Sequence, residues 1–375
     1  MTPRERFLHG LLSGFLHSRY RFRYRFTDFD PRRQDPYILI GNHTCLLDGQ
    51  ITVLPLDKYP FPVINSFVFT GGFMKFVLTK IITSIPKRKG QLDVTTIRAI
   101  METLKSGRGV MLFPEGNSSY FGKESPIMPG TGKFLKKMKK DVVVCKTHGG
   151  YLSRPRWSDK GIPKGLFDMH YYTLFTAKAL EEKSIEEIEI RLAEELKFND
   201  FDWNRDARER YVGRHRARGL DRFIYGCPRC GSWQTIFTKG SAIHCSNCGE
   251  IAHFNEYSLL EGLPFDNLVA WDEYQKTLLP AIIKTQIHSV GEMYDVDVVS
   301  YRKSRLGRMS ISLWNGIMRI WNKRRRYDIP VSEIAGLVLT RKDELSFDIG
   351  EKTYFFKFKD PMLFFDVINW IKGVA

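Results

Sequence analysis

The chain has 375 residues, enough for two or three domains, and its hydrophobic content of 43% is normal for a protein that buries a core. A formal net charge of +16 favours an anionic partner, such as a membrane surface, a nucleic acid or a phosphorylated substrate. A spanning helix is excluded, because no uncharged run approaches the roughly 20 apolar residues that cross a bilayer. We also expect no secretory signal, because residues 1–20 lack a clean apolar stretch followed by a small-residue cleavage site.

The first predicted elements are a helix and a strand with one basic face. Hydrophobic residues recur at helical spacing over residues 7–16, and residues 19–26 alternate strictly between arginine and an aromatic residue. A basic face beside an apolar helix suits the headgroup layer of an anionic membrane, although an ordinary strand with a solvated arginine row has the same pattern. We expect a protein bound peripherally to the cytoplasmic face of a membrane. The arginine face carries Arg19, Arg21, Arg23 and Arg25.

An apolar run at residues 38–41 reads as a buried strand, and a polar turn follows it with Asn42, His43 and, five positions later, Asp48. Imidazole titrates near neutral pH, so His43 is a candidate base, and Asp48 is suited to fix its tautomer. No G-x-S-x-G nucleophile lies nearby, so the simplest role for His43 is to activate a hydroxyl of the substrate. The alternative is an ordinary loop histidine with Asp48 as a helix N-cap.

The stretch at residues 111–119 reads as another strand that ends in a polar turn, and it contains the sequence Phe113-Pro114-Glu115-Gly116. Together with Asn-His-x4-Asp at the first turn, this sequence resembles the glycerolipid acyltransferase family, of the 1-acylglycerol-3-phosphate acyltransferase type. Both motifs match in full and in the family's order. The resemblance covers roughly the first 215 residues.

The resemblance implies an α/β domain in which helices flank a mixed sheet. It also implies transfer of a fatty acyl group from acyl-CoA or acyl-carrier protein to the hydroxyl of a lysophospholipid, such as 1-acylglycerol-3-phosphate. In that reaction His43 and Asp48 would be catalytic, Asn42 would contact substrate, and the Glu115-Gly116 turn would shape the acceptor site. No catalytic cofactor is expected.

The acceptor itself stays open, because two family features are incomplete. The family has a second motif that contacts the acceptor phosphate. Lys87 and Arg88 resemble that motif only in their place along the chain and in their basic character. After Gly116, family members often continue with Thr-Arg-Ser, whereas this chain has Asn117 and Ser118, which lack the bidentate charge of arginine. A neighbouring loop offers charge through Arg154 and Arg156, or is a plain surface turn.

Residues 205–222 hold seven arginines against three acidic residues, which predicts a basic helix. Such a helix suits the phosphates of lipid or nucleic acid, although a solvated helix is the default.

Two Cys-x-x-Cys pairs predict a metal site further along the chain. Four thiolates at this spacing are typical of a zinc ribbon, with iron in a rubredoxin-like site as the main competitor. A closed shell of four thiolates leaves no position for substrate, so we expect structural zinc and consider nucleic-acid binding unlikely. The predicted ligands are Cys227, Cys230, Cys245 and Cys248.

The remainder of the chain is predicted to be β-rich. A hairpin turns at Asn315-Gly316, further short strands follow, and an amphipathic helix starts at Pro361. This pattern resembles the pleckstrin-homology-like (PH/GRAM) fold. The predicted division is an acyltransferase domain at 1–215, a zinc ribbon at 221–256, a helical linker at 257–287 and a PH-like domain at 288–375. The alternatives to an enzyme are a nucleic-acid-binding zinc-ribbon protein and a catalytically inactive membrane scaffold.

Overall fold

The computed structural model describes residues 3–65, 84–87, 94–158, 161–297 and 302–374. The chain forms two compact units: Met1–Pro155 with Gly161–Val212, and Arg156–Lys160 with Gly213–Ala375. The four predicted domains divide the chain more finely, and their boundaries stay a prediction.

The first unit is built on a mixed seven-stranded sheet of order β1-β7-β6-β2-β5-β3-β4. The five strands β2 to β6 run parallel to one another, whereas β7 is antiparallel to β6 and β1 runs parallel to β7. The strands are β1 (Arg21–Thr27), β2 (Ile38–Gly41), β3 (Phe61–Asn65), β4 (Ile85–Lys87), β5 (Val110–Leu112), β6 (Val142–His148) and β7 (Leu166–Phe175).

Helices cover both faces of this sheet because its central strands are apolar on both faces. Leu39 of β2 packs into one buried cluster together with Leu16, while Ile38 and Ile40 pack into another with Leu104. The predicted arrangement, a mixed sheet flanked by helices, is therefore confirmed. Among its described residues, this unit has the helices α1 (Pro3–Arg19), α2 (Asp48–Ile51), α3 (Val94–Lys105), α4 (Thr131–Met138), α5 (Gly150–Ser153), α6 (Ala177–Glu182), α7 (Ile185–Leu196) and α8 (Asp200–Ala207).

The predicted N-terminal helix and alternating strand are α1 and β1, but Arg19, which was predicted to lie on the strand, is the last residue of α1. Leu16 of α1 is buried, whereas Phe7, Leu11 and Phe15 are 67%, 58% and 60% exposed. We call these three side chains the apolar stripe. Among the helices in the described part of the chain, none is both long and apolar enough to cross a membrane.

The arginine row of β1 is engaged by two acidic side chains from distant parts of the unit. Arg21 and Arg23 lie 3.1 and 2.9 Å from Glu209 oxygens. Arg23 and Arg25 lie 3.2 and 3.1 Å from the buried carboxylate of Asp168. These arginines are therefore neither a plain solvated row nor a wholly free basic surface.

The prediction of a basic helix over residues 205–222 is wrong. Helix α8 ends at Ala207 because Arg208 adopts a left-handed conformation with φ of 53°. The chain then runs through turns, with Tyr211 fully buried, and only a short 3₁₀ turn forms at Leu220–Arg222.

The second unit contains two antiparallel sheets. A four-stranded sheet has the order β11-β10-β9-β8, and a seven-stranded sheet has the order β15-β14-β13-β12-β18-β17-β16. The smaller sheet comprises β8 (Ile236–Lys239), β9 (Ala242–Cys245), β10 (Gly249–Phe254) and β11 (Leu260–Glu261). The larger comprises β12 (Ile287–Val296), β13 (Lys303–Trp314), β14 (Ile317–Trp321), β15 (Arg326–Pro330), β16 (Ala335–Leu339), β17 (Glu344–Ile349) and β18 (Lys352–Phe358). Its helices are α9 (Leu268–Thr277), α10 (Leu279–Ile282) and α11 (Pro361–Ile371).

The predicted hairpin is confirmed between β13 and β14. Asn315 and Gly316 have φ values of 47° and 71°, as a two-residue hairpin turn with positive φ at both positions requires. The β-rich region and its C-terminal helix are thus present, while its assignment to the PH-like fold stays a prediction.

Candidate active site

The two polar turns predicted to form the site lie side by side because their strands are parallel neighbours. Strand β2 pairs with β5, so the residues that follow each strand emerge at the same edge of the sheet. His43 follows β2 and Glu115 follows β5. The backbone N–H of Ser119 also donates to the carbonyl of His43 at 2.8 Å, which joins the second turn to the first.

His43 and Asp48 form the predicted pair. The Nδ1 atom of His43 lies 2.8 Å from Oδ2 of Asp48, whose side chain is 1% exposed. A carboxylate at this position favours the tautomer with the proton on Nδ1, which leaves Nε2 free to accept a proton. The imidazole retains 18% exposure and can be reached by substrate.

Asp48 is held by the residues between it and His43. Its carboxylate accepts the hydroxyl of Thr44 at 2.8 Å and the backbone N–H of Cys45 at 2.9 Å. These hydrogen bonds fix the direction of the carboxylate. The alternative of Asp48 as a helix N-cap is wrong, since Leu47 occupies that position and Asp48 is the first residue of α2.

One face of the imidazole is covered by Phe113. The two rings are stacked, with centroids 4.5 Å apart and planes inclined by 22°. This contact restricts the orientation of His43 beyond what the hydrogen bond to Asp48 imposes.

Glu115 connects the two turns with both of its oxygens. Oε1 accepts the backbone N–H of His43, and Oε2 accepts that of Ser125, each at 2.7 Å. Burial raises the pKa of Glu115 to about 8, and the two N–H donors oppose that shift. Gly116 follows with φ of 73°, a conformation that favours glycine, and so ends the turn.

Asn42 ties the first turn to the neighbouring strand β6. Its amide donates to the carbonyl of Thr147 and accepts the N–H of the same residue, both at 2.8 Å. The side chain is 1% exposed. This geometry gives Asn42 a positioning role, and its predicted contact with substrate stays untested.

The remaining residues predicted to bind the acceptor differ in their exposure to solvent. Gly116 is exposed and Asn117 half-buried, whereas Ser118 is buried. Lys87 contacts Met128, and Met128 packs against Gly116 of the turn. The Nζ atom of Lys87 lies 3.0 Å from the Met128 sulfur, and a Cβ atom added at Gly116 would lie 3.1 Å from the same sulfur. Desolvation lowers the pKa of Lys87 to about 8.

The roles predicted for two other basic residues stay predictions. Arg88 lies outside the described residues. Arg156 belongs to the second unit, where it is 4% exposed and donates to the carbonyl of Leu339.

The family model for acyltransferases matches residues 23–146. This segment is an acyltransferase domain. It contains both polar turns, and the prediction that their motifs belong to an acyltransferase is confirmed. Among solved structures, the chain is similar to the 1-acyl-sn-glycerophosphate acyltransferase PlsC from Thermotoga maritima, with 16% identity and a TM-score of 0.44 over 57% of this chain and 86% of that one.

Several supporting residues of the acyltransferase domain were not identified from the sequence. Thr44 and Cys45 lie within the four-residue spacer of the first motif; the hydroxyl of Thr44 was an available signal, whereas Cys45 donates through its backbone N–H. Ser125 and Thr147 contribute through backbone groups, which leave no signature in the sequence.

Outside the acyltransferase domain, the four predicted metal ligands come together. The Sγ atoms of Cys227, Cys230, Cys245 and Cys248 all lie within 4.8 Å of one another. Those of Cys230 and Cys245 are 3.8 Å apart, and zinc–sulfur bonds of about 2.3 Å in a tetrahedron also place sulfurs about 3.8 Å apart. The donor set therefore fits a tetrahedral metal.

Proposed function

We propose that the protein is an O-acyltransferase that moves a fatty acyl group from acyl-CoA or acyl-carrier protein to the hydroxyl of a lysophospholipid such as 1-acylglycerol-3-phosphate. The observation that carries this proposal is the His43–Asp48 pair at the strand edge of an acyltransferase domain. Its free Nε2 suits a general base acting on a hydroxyl that the substrate provides.

The reaction uses one proton transfer in each direction. His43 Nε2 takes the proton of the acceptor hydroxyl as its oxygen bonds to the thioester carbonyl carbon. The tetrahedral intermediate then collapses, the carbon–sulfur bond breaks, and the departing sulfur takes the proton from the imidazolium. Asp48 stabilises that imidazolium, and general base catalysis of this kind contributes about 10²–10⁴-fold.

Glu115 and Asn42 position the base, and Lys87 supplies charge for the acceptor. Because Glu115 accepts a hydrogen bond from the backbone N–H of His43, it fixes the position of the backbone from which the imidazole projects. The ammonium of Lys87 is half-buried beside the thioether of Met128, and desolvation lowers its pKa. An anionic group placed beside the ammonium would stabilise its charged form. This favours an acceptor that carries a phosphate over a neutral one.

The location proposed for this reaction is the cytoplasmic surface of a membrane, where a lipid acceptor resides. The exposed apolar stripe of α1 is suited to enter the interface while the rest of the protein stays outside. Structural zinc in the cysteine cluster would stabilise the second unit, and a PH-like domain there would offer a further lipid-binding module.

The test is a direct assay of purified protein with labelled acyl-CoA or acyl-carrier protein. The acceptors form a matched panel: 1-acylglycerol-3-phosphate, the corresponding lysophosphatidylcholine and the neutral monoacylglycerol, with products identified by mass spectrometry. We expect diacyl product with the phosphate monoester and much less with the neutral acceptor. Absence of product from every pair of donor and acceptor would overturn the proposal.

A further inference from the structure

The backbone of Gly150, the first residue of α5, packs directly against the spacer of the first motif. A Cβ atom added at Gly150 would lie 2.0 Å from Oγ1 of Thr44 and 2.9 Å from its Cβ, well inside van der Waals contact. Rotation of the Thr44 side chain about χ1 would move the oxygen but not the Cβ atom, so it could not remove the overlap. The position therefore has room only for glycine.

Thr44 stands between Gly150 and the catalytic pair. Its side chain is buried, and its hydroxyl donates to Oδ1 of Asp48 at 2.8 Å. The other oxygen of the same carboxylate lies 2.8 Å from Nδ1 of His43. A displacement of Thr44 consequently changes the direction of the carboxylate that faces the imidazole.

Gly150 is held in place by a buried carboxylate. Oδ1 of Asp200 accepts the backbone N–H of Gly149 at 3.0 Å, and Oδ2 accepts that of Tyr151 at 2.8 Å. Asp200 is fully buried; burial raises its pKa to about 7, and these backbone donors oppose the shift. The two oxygens of Asp200 thus fix the residues on both sides of Gly150.

The contact between Gly150 and Thr44 is built on neighbouring strands. Strand β6 runs parallel to β2, so the turn at Asn42 and the start of α5 follow strands that end at one edge of the sheet. Asn42 bonds the backbone of Thr147 twice, and the Cγ2 atom of Thr147 would lie 3.3 Å from a Cβ at Gly150. Movement of α5 away from Thr44 would therefore strain the connection between the strands.

We propose that Gly150 and Asp200 are positioning residues for the His43–Asp48 pair, and that they act by keeping the Thr44 hydroxyl on the Asp48 carboxylate. The inference rests on the proposed function, in which His43 is the base. A displaced carboxylate favours the tautomer with the proton on Nδ1 less strongly, and a proton on Nε2 removes the base.

The test measures the tautomer of His43 and the kinetics of acyl transfer in full-length Gly150→Ala. Isotopic labelling of the histidine ring nitrogens allows NMR to distinguish the two neutral tautomers, and His43→Ala assigns the resonances. Gly132→Ala is the matched control, because a Cβ there would lie 2.5 Å from the side chain of Glu189, between α4 and α7. Thermal melting checks that each variant folds.

Gly150→Ala should lower kcat by about 100-fold, as expected for a misplaced catalytic group, with little change in KM and a larger fraction of the Nε2–H tautomer. Thr44→Ala removes one hydrogen bond to a charged group and should lower kcat by about tenfold. Because both changes affect the same contact, the double variant should lose no more than about 100-fold, well below the product of about 1,000-fold. The control should lower the melting temperature without changing the tautomer.

An unchanged His43 tautomer in folded Gly150→Ala would overturn the inference. So would a double variant whose loss equals the product of the single losses, or a control that shifts the tautomer equally. Asp200→Asn adds no bulk and keeps one acceptor oxygen, so it decides the question if Gly150→Ala does not fold. Asp200→Asn should increase the Nε2–H fraction; an unchanged tautomer there would also overturn the inference.

Acyl transfer by the wild-type protein separates the two proposals. Active wild-type protein whose His43 tautomer is the same in Gly150→Ala contradicts the inference alone. Inactive wild-type protein whose tautomer changes in Gly150→Ala contradicts the proposed function alone, because the tautomer is measured without substrate.

Discussion

Replacement of Asp48 by asparagine isolates the electrostatic role of the carboxylate with almost no change of shape. The carboxylate accepts from His43 Nδ1, the Thr44 hydroxyl and the Cys45 N–H. Asparagine has one acceptor oxygen and one NH₂ group, so it cannot serve all three donors. If the NH₂ faces His43, the ring proton moves to Nε2 and the base is lost.

The expected loss in kcat is set by the contribution of the base. General base catalysis supplies about 10²–10⁴-fold, and a wrong tautomer at an aspartate–histidine pair costs up to about 10⁴-fold. The upper value corresponds to about 5.4 kcal/mol of transition-state stabilisation. The loss should not exceed that of His43→Ala, because the carboxylate acts through the imidazole.

The assay is steady-state acyl transfer with kcat and KM determined separately, together with thermal melting. KM should change little, because Asp48 is buried and acts through His43. Asp28→Asn is the matched control: Asp28 is exposed, its φ of 51° is one that asparagine tolerates, and it lies outside the site. Near-wild-type kcat in Asp48→Asn, or a loss larger than in His43→Ala, would refute this reasoning.

Three further predictions address the base, the connection between the turns and the metal. His43→Ala should abolish transfer with an unchanged circular dichroism spectrum; near-wild-type turnover would exclude His43 as the base. Because burial raises the folded-state pKa of Glu115 to about 8 from an ordinary 4.5, its stabilising contribution should be complete below about pH 4.5 and decline as pH rises through 8. Glu115→Gln, which does not titrate, should therefore lower the melting temperature more at pH 5 than at pH 8, and an equal decrease at both pH values would contradict this assignment. The reduced protein should contain one zinc by elemental analysis, and Cys230→Ser should increase hydrogen exchange in the second unit more than in the first; metal-free, fully folded protein would count against a structural zinc.

Local patterns were sufficient to predict the parts of the site that follow directly from strands. Two apolar runs that end in polar turns predicted β2 and β5, and their parallel pairing brings His43 and Glu115 together. The second oxygen of Glu115 bonds the backbone of Ser125, ten residues further on in a loop. Any residue can provide such an N–H, so the sequence gives no indication of which one does.

Long-range ion pairs limited the prediction of the N-terminal surface. The alternation of Arg21, Arg23 and Arg25 correctly indicated a strand, but their carboxylate partners lie more than 140 residues away. Replacing these arginines would leave the buried Asp168 without its partners and would test folding together with membrane binding.

The assignment of Arg156–Lys160 to the second unit affects the order in which the chain can fold during synthesis on the ribosome. These residues belong to the second unit although first-unit residues flank them on both sides. Trp157 is 2% exposed and stacks on Phe254, with ring centroids 6.3 Å apart. At synthesis rates of about 5–20 residues per second, Trp157 waits roughly 5–20 seconds for that partner to be made. The stacking partner of Trp157 is therefore absent until the segment that follows the cysteines has been translated, and a fragment truncated at Val212 would lack it.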